Sequence, residues 1–218
     1  MPCDHVLRII EVAAIVFGAF STFAVAVLAI WGDWIRNRLL GPRLELSPLN
    51  PLGDLTFYGS GQRAYFYHLR VKNQPRRNAA RGARILVRAV SRRAPGGTFI
   101  EEPMVYPLQL QWTPMEHGEV ERTVVDESTC DFGVLRQHEG RFQLAVMLTP
   151  NNFRGHVASG DCLRFEILAN GHNVLTLRPI VLEVSWDGTW NENQQDTSIY
   201  RILKADSSGD VVGSRGII

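Results

Sequence analysis

Between Glu11 and Asp33 the chain reads VAAIVFGAFSTFAVAVLAIWG, residues 12–32, 21 positions without a charge. A helix rises ~1.5 Å per residue, so ~20 residues cross the ~30 Å of hydrocarbon in a bilayer. The stretch just suffices, and it predicts one transmembrane helix. Ser21 and Thr22 are its only hydroxyl residues. In a helix each can bond back to a carbonyl one turn earlier. Trp31 and Trp34, with Arg36 and Arg38 beside them, stand where an interfacial belt belongs. A cleaved signal peptide is the competing reading. It requires a basic start and a small-residue cleavage site beyond the apolar run. Here Asp4 and Glu11 offset Arg8, and Ala24-Val25-Ala26 lies inside the run, so an uncleaved anchor is expected.

Downstream of the run lie Arg36, Arg38 and Arg43; upstream lies only Arg8. The excess of basic residues favours the C-terminal side as cytoplasmic. The expected location is the inner (cytoplasmic) membrane with a cytoplasmic soluble domain, and a periplasmic domain is the alternative. Ala14, Gly18, Thr22 and Ala26 fall at successive i+4 positions and form a small-residue stripe suited to close helix–helix packing. A helix this rich in small residues also produces such a stripe by composition alone. The expected partners are therefore the membrane and another membrane protein or a second copy of the chain.

Gly41-Pro42 ends the helix, because proline cannot continue it and glycine suits a cap. The chain then divides into a flank (1–11), the span (12–32), a basic juxtamembrane linker (33–43), one β domain (44–204) and a flexible tail (205–218). Past residue 44 the hydrophobic period becomes two. Tyr65, Tyr67, Leu69 and Val71 alternate with Phe66, His68, Arg70 and Lys72. Ala83, Ile85, Val87 and Ala89 alternate with Arg84, Leu86, Arg88 and Val90. Further sets are Leu108, Leu110, Trp112; Phe142, Leu144, Val146, Leu148; Leu163, Phe165, Ile167; and Leu182, Val184, Trp186. Leu44–Leu46, Val120–Val124 and Gly133–Leu135 are weaker strand candidates, and Asn193–Leu203 is read as a short helix or turn. Many short alternating strands without a long amphipathic helix predict an all-β antiparallel sandwich.

Val71-Lys72-Asn73, then Ala79-Ala80, then Ala83-Arg84-Ile85-Leu86-Val87 resembles a hairpin of bacterial immunoglobulin-like and CARDB-like adhesion modules. In place of the usual glycine after the asparagine stands Gln74-Pro75, and the loop is longer and more basic. The resemblance implies an immunoglobulin-like sandwich with an interaction role and transfers no active site. Trp186-Asp187-Gly188-Thr189-Trp190 resembles segments of membrane-anchored bacterial proteins of unknown function.

The six histidines show no H-E-x-x-H or H-x-H spacing, and no nucleophile elbow, Walker or dinucleotide glycine pattern occurs. Glu116-His117 with Glu119 and Glu121 offers metal ligands only as a strand-edge cluster, and a solvated turn accounts for them better. Cys130 and Cys162 lack C-x-x-C spacing, and neither a bridge between them nor two free thiols follows from sequence. No enzyme activity, cofactor or metal is expected.

Charge is the informative feature. From Arg63 to Ile100 there are ten basic residues and no acid, while the rest of the domain from Leu44 carries nine basic and 19 acidic residues. If residues 63–93 form a hairpin, parity puts Arg70 and Lys72, and likewise Arg84 and Arg88, on an outward face, with Arg76, Arg77 and Arg81 in and beside the loop. That face would dock an acidic protein partner or anionic headgroups. Pairing with the domain's own carboxylates is the plainer reading. Nucleic acid is the least favoured partner, since no reading helix or aromatic RNA-binding pattern accompanies the charge. The expected function is an interaction or accessory subunit at the membrane; a ligand-binding sensor domain is the alternative.

Overall fold

A computed structural model describes residues 3–57, 61–114, 119–174, 179–190, 200–205 and 211–213. The chain forms two compact units, Met1–Gly41 and Pro42–Ile218.

The first unit is helix α1, Cys3–Leu40. Within it Val12–Gly32 is long and apolar enough to cross a membrane. As expected for hydroxyls in an apolar helix, Ser21 Oγ donates to Phe17 O at 2.8 Å and Thr22 Oγ1 to Gly18 O at 2.9 Å.

The second unit is all β and antiparallel. One sheet holds β1 (Leu44–Pro48), β2 (Asp54–Phe57), β3 (Arg63–Asn73), β7 (Gln111–Thr113), β9 (Glu127–Arg136), β10 (Arg141–Leu144) and β11 (Val157–Ala158). The other holds β4 (Ala80–Arg93), β5 (Phe99–Glu101), β6 (Leu108–Gln109), β8 (Arg122–Val124), β12 (Cys162–Asn170), β13 (Ile180–Ser185), β14 (Tyr200–Ala205) and β15 (Val211–Gly213). Strand order is β1-β3-β9-β10-β11 in the first and β15-β14-β13-β12-β4-β5 in the second. The two sheets share one apolar core. Phe132 of β9 meets Phe165 of β12 edge to face at 5.5 Å, and Phe142 of β10 packs on both. Such aromatic pairs add to the area they bury, at roughly 0.5–1.5 kcal/mol each.

The hydrophobic alternation maps onto this core. Tyr65, Tyr67, Leu69, Val71, Ile85, Val87, Leu108, Leu110, Trp112, Phe142, Leu163, Phe165, Ile167, Leu182 and Val184 are all buried. Four details differ from the sequence reading. First, β3 and β4 are not a hydrogen-bonded hairpin: β3 pairs with β1, β2 and β9, and β4 with β12, β5, β6 and β8. The chain between them crosses from one sheet to the other, so their apolar faces meet through the core instead of side by side. Second, a bulge where Glu166/Ile167 oppose Ala89/Val87 leaves Arg88 as an extra residue and reverses parity, which turns Val90 into the core. Third, Leu148 is 70% exposed, because β10 ends at Leu144 and only an isolated bridge, Leu110↔Val146, continues the pairing. Fourth, Tyr200–Leu203 is strand, paired with β13, and not helix; residues 191–199 lie outside the described residues. Of the tail, Val211–Gly213 is strand, and 206–210 and 214–218 lie outside the described residues.

β9 also bulges, at Phe132, so that Phe132, Gly133, Val134 and Leu135 are buried in succession. Gly133 is required there: a Cβ would stand 2.2 Å from Phe142 Cζ and 2.6 Å from the Gln143 carbonyl.

Candidate interaction surface

The seven basic residues assigned to one docking face occupy three places. Arg70 and Lys72 alternate with buried Leu69 and Val71 and point outward from the first sheet. Arg84 and Arg88 point outward from the second sheet. Arg76 and Arg77 belong to the crossing between them, and Arg81 is the second residue of β4, beside that crossing. A single basic hairpin face is therefore not formed. Period two dictates in and out along a strand, but it does not choose the strand's neighbours.

The strand arginines meet carboxylates from elsewhere in the chain. Arg70 Nε lies 3.0 Å from Glu127, Arg88 Nη1 lies 3.4 Å from Glu166, and Arg84 bonds Glu121. The Arg84 guanidinium holds the Glu121 carboxyl below the usual carboxylate range. Arg92 is the most engaged: Nε binds Glu102 at 2.6 Å, Nη1 binds Asp161 at 2.5 Å and Nη2 donates to the Arg154 carbonyl at 2.6 Å. It ties β4 to the segment after β5 and to the start of β12.

The crossing is organised by Asn73, the last residue of β3 and 3% exposed. Its Oδ1 accepts from Arg43 N at 3.1 Å, and its Nδ2 donates to Asn78 O at 2.8 Å and Val125 O at 3.0 Å. Its backbone N–H donates to Asp126 O, and Gln74 N–H donates to Arg43 O. Asn173 extends the rim, with Oδ1 accepting from Arg81 N at 2.8 Å and Nδ2 donating to Ala79 O at 3.0 Å. One end of the domain, where β1 begins, is thus stitched into a continuous rim carrying Arg43, Arg76, Arg77 and Arg81. The sequence signal was the Val-Lys-Asn ending of β3. An asparagine closing an apolar strand has both a donor and an acceptor to spend on orphaned loop backbone.

His68, on the outward side of β3, was not distinguished from the other histidines by sequence. Its Nδ1 lies 2.7 Å from Asp131 and its Nε2 lies 3.5 Å from Asp54. The hydrogen bond to Asp131 raises the imidazole above its ordinary value; burial opposes the rise, and the charges of Asp131 and Asp54 add to it. Thr113 donates its hydroxyl to Asp131 and not to the ring. The arrangement favours the protonated imidazole between β2 and β9.

Glu119 and Glu121, weighed as metal ligands, are clasped by Arg122 and Arg84. Glu116 and His117 lie outside the described residues. Cys130 and Cys162 are buried free thiols on different sheets. Burial raises both, Cys162 to about 11. In α1 the stripe residues Ala14, Gly18, Thr22 and Ala26 are exposed, and a Cβ at Gly18 would meet nothing within 4 Å. Trp31, Trp34, Arg36 and Arg38 are exposed, and the Arg38 guanidinium stands 5.7 Å from the centre of the Trp34 ring.

No family model, curated protein or solved structure matches the chain.

Proposed function

We propose that this chain is a single-pass protein of the inner (cytoplasmic) membrane that holds an immunoglobulin-like β-sandwich at the membrane surface as an interaction or accessory subunit. The observation that supports this reading is the tether. Only Gly41, Pro42 and Arg43 separate the last residue of α1 from the first residue of β1, a reach of at most ~14 Å. Arg43 is itself fixed to the domain by Asn73 and Gln74. A domain on so short a lead serves partners that also reside at the membrane, and the stripe of Ala14, Gly18, Thr22 and Ala26 suits a second helix, from another membrane protein or a second copy. The arginine excess after the span favours a cytoplasmic domain, and unbridged Cys130 and Cys162 accord with a reducing compartment. The test is a membrane two-hybrid assay on the full chain. Gly18→Ile is expected to weaken association and Phe20→Ile to leave it unchanged. Equal signals from both variants would refute packing through the stripe. A C-terminal alkaline phosphatase fusion is expected to be inactive.

A further inference from the structure

We infer that the rim bearing Arg43, Arg76 and Arg81 is a contact surface for anionic phospholipid headgroups. The inference rests on the reading of α1 as a membrane anchor.

Four observations carry it. The first is a contrast in pairing. Arg70, Arg84, Arg88 and Arg92 on the strands each have a carboxylate, whereas no carboxylate among the described residues pairs with the guanidinium of Arg43, Arg76 or Arg81. The acids nearest the rim do not compensate. Glu121 is taken by Arg84, and Glu45 accepts from Gln74 at 2.6 Å. Asp126 is the exposed acid on the rim itself. Self-neutralisation, which takes up Arg70, Arg84, Arg88 and Arg92, does not reach Arg43, Arg76 or Arg81 among the described residues.

The second observation is position. β1 starts in the rim, since Leu44 pairs with Asn73. The helix continues eight residues beyond Gly32 to Leu40, a rise of ~12 Å. The headgroup layer takes up ~6 Å of that on each side. Leu40 of an untilted helix then stands about 6 Å above the surface, within the ~8 Å Debye length at physiological salt. With the short tether, this end of the domain lies closest along the chain to the surface potential of an anionic leaflet.

The third observation is preorganisation. Asn73 and Asn173 pin the backbone of Arg43, the 74–79 loop and Arg81, so the cations are presented together. The fourth is the turn itself. Arg76 sits at φ 62°, a conformation that glycine or asparagine adopts more readily. The turn gains nothing from an arginine there, but a surface seeking phosphate does. Val125, 61% exposed beside Asp126, adds an apolar tip suited to the headgroup boundary.

A basic residue near an anionic leaflet strengthens binding about fivefold, so neutralising Arg76 and Arg81 should lower the contact equilibrium roughly 30-fold. The experiment uses the full chain in nanodiscs of phosphatidylcholine alone and of phosphatidylcholine with phosphatidylglycerol. Amide exchange is read over residues 74–79 and 125–126. Slower exchange in the anionic discs is expected. It should revert at high salt and in the Arg76→Gln/Arg81→Gln double variant, but persist in Arg88→Gln. Equal exchange in both disc types overturns the inference, as does slowing that survives the double variant. Slowing that appears in both disc types and only on raising the number of chains per disc assigns the rim to protein contact and overturns it too. Failure of the lipid contact with Gly18-dependent association intact would remove this inference and leave the proposed function standing.

Discussion

Replacing Asn73 with leucine should cost the β domain about 3 kcal/mol. The side chain is 3% exposed and makes three hydrogen bonds, at 2.8, 3.0 and 3.1 Å. Leucine keeps the branched outline of the side chain but returns nothing to the Arg43 N–H or to the carbonyls of Asn78 and Val125. An unsatisfied buried group costs ~1–3 kcal/mol, and the lower value applies because all three bonds are only part-buried and water can reach the rim. For a domain of this size ~1 kcal/mol moves Tm by roughly 2–4 °C, so the expected fall is about 6–12 °C. The measurement is thermal melting of the full chain in mild detergent, followed at the β-sheet band in circular dichroism while the micelle retains the helix. Asn73→Asp makes a sharper test. It keeps the acceptor for Arg43 but turns a carboxylate toward two carbonyl oxygens. Folding should therefore raise that carboxyl's pKa, so the damage is full at neutral pH and partly relieved toward about pH 4, where the protonated acid regains one donor. If Asn73→Leu melts within about 2 °C of wild type, the rim is not held by this residue and the preorganisation argued for it is refuted.

Four further outcomes are expected. His68 has a raised folded value, so its contribution to stability is fully present below its unfolded value of ~6.5 and is lost as pH rises through the folded value. The loss in Tm between about pH 6 and pH 8 should shrink in His68→Gln, and taking the difference from wild type cancels His156, which burial lowers. In a Cys3→Ser background, Cys130 and Cys162 should resist maleimide at neutral pH until the protein is unfolded; rapid labelling of the native chain would contradict their burial. Gly133→Ala should cost ~1–3 kcal/mol through overpacking against Phe142, read as a lowered Tm. Arg92→Gln should lower Tm clearly, while Arg88→Gln, whose pair with Glu166 is exposed, should change it little; equal shifts would deny Arg92 its structural part.

The helix and the core were legible because both are written in periodicity. A charge-free run of 21 residues reads as one apolar helix long enough to cross a membrane, and the alternating strands placed their apolar residues inward as read, apart from Ala89, Val90 and Leu148. Bulges explain part of what was missed. At Arg88 the extra residue shifts the phase by one, and nothing in the one-dimensional pattern marks the spot. Most of β9 escaped for another reason. Glu127, Thr129 and Asp131 are polar because they stand opposite the outward-facing Lys72, Arg70 and His68, and the inward positions of that half are filled by Ser128 and Cys130, which carry little hydrophobic signal. β14 was read as a helix or turn because adjacent Ile202 and Leu203 break the alternation of period two that marks the other strands, although it pairs with β13, the strand just before it in the chain.

The basic window illustrates the same limit in electrostatic terms. Ten cations in 38 residues suggest a charged surface only if residues close in sequence are close in space. β3 and β4 instead lie in different sheets, and antiparallel pairing sets each against strands and loops drawn from the acidic remainder. Arg70 finds Glu127 through β9, Arg88 finds Glu166 through β12, and Arg92 finds Asp161 beside β12. Segregation along the chain thus becomes complementarity between strands, and each exposed pair contributes little to stability while penalising wrong register with like-charge contacts. The complementarity needs a facing strand, and a loop between sheets has none. That is why Arg76 in the crossing, with Arg43 and Arg81 at the adjoining strand ends, has no carboxylate pair among the described residues, on the end of the domain where β1 begins.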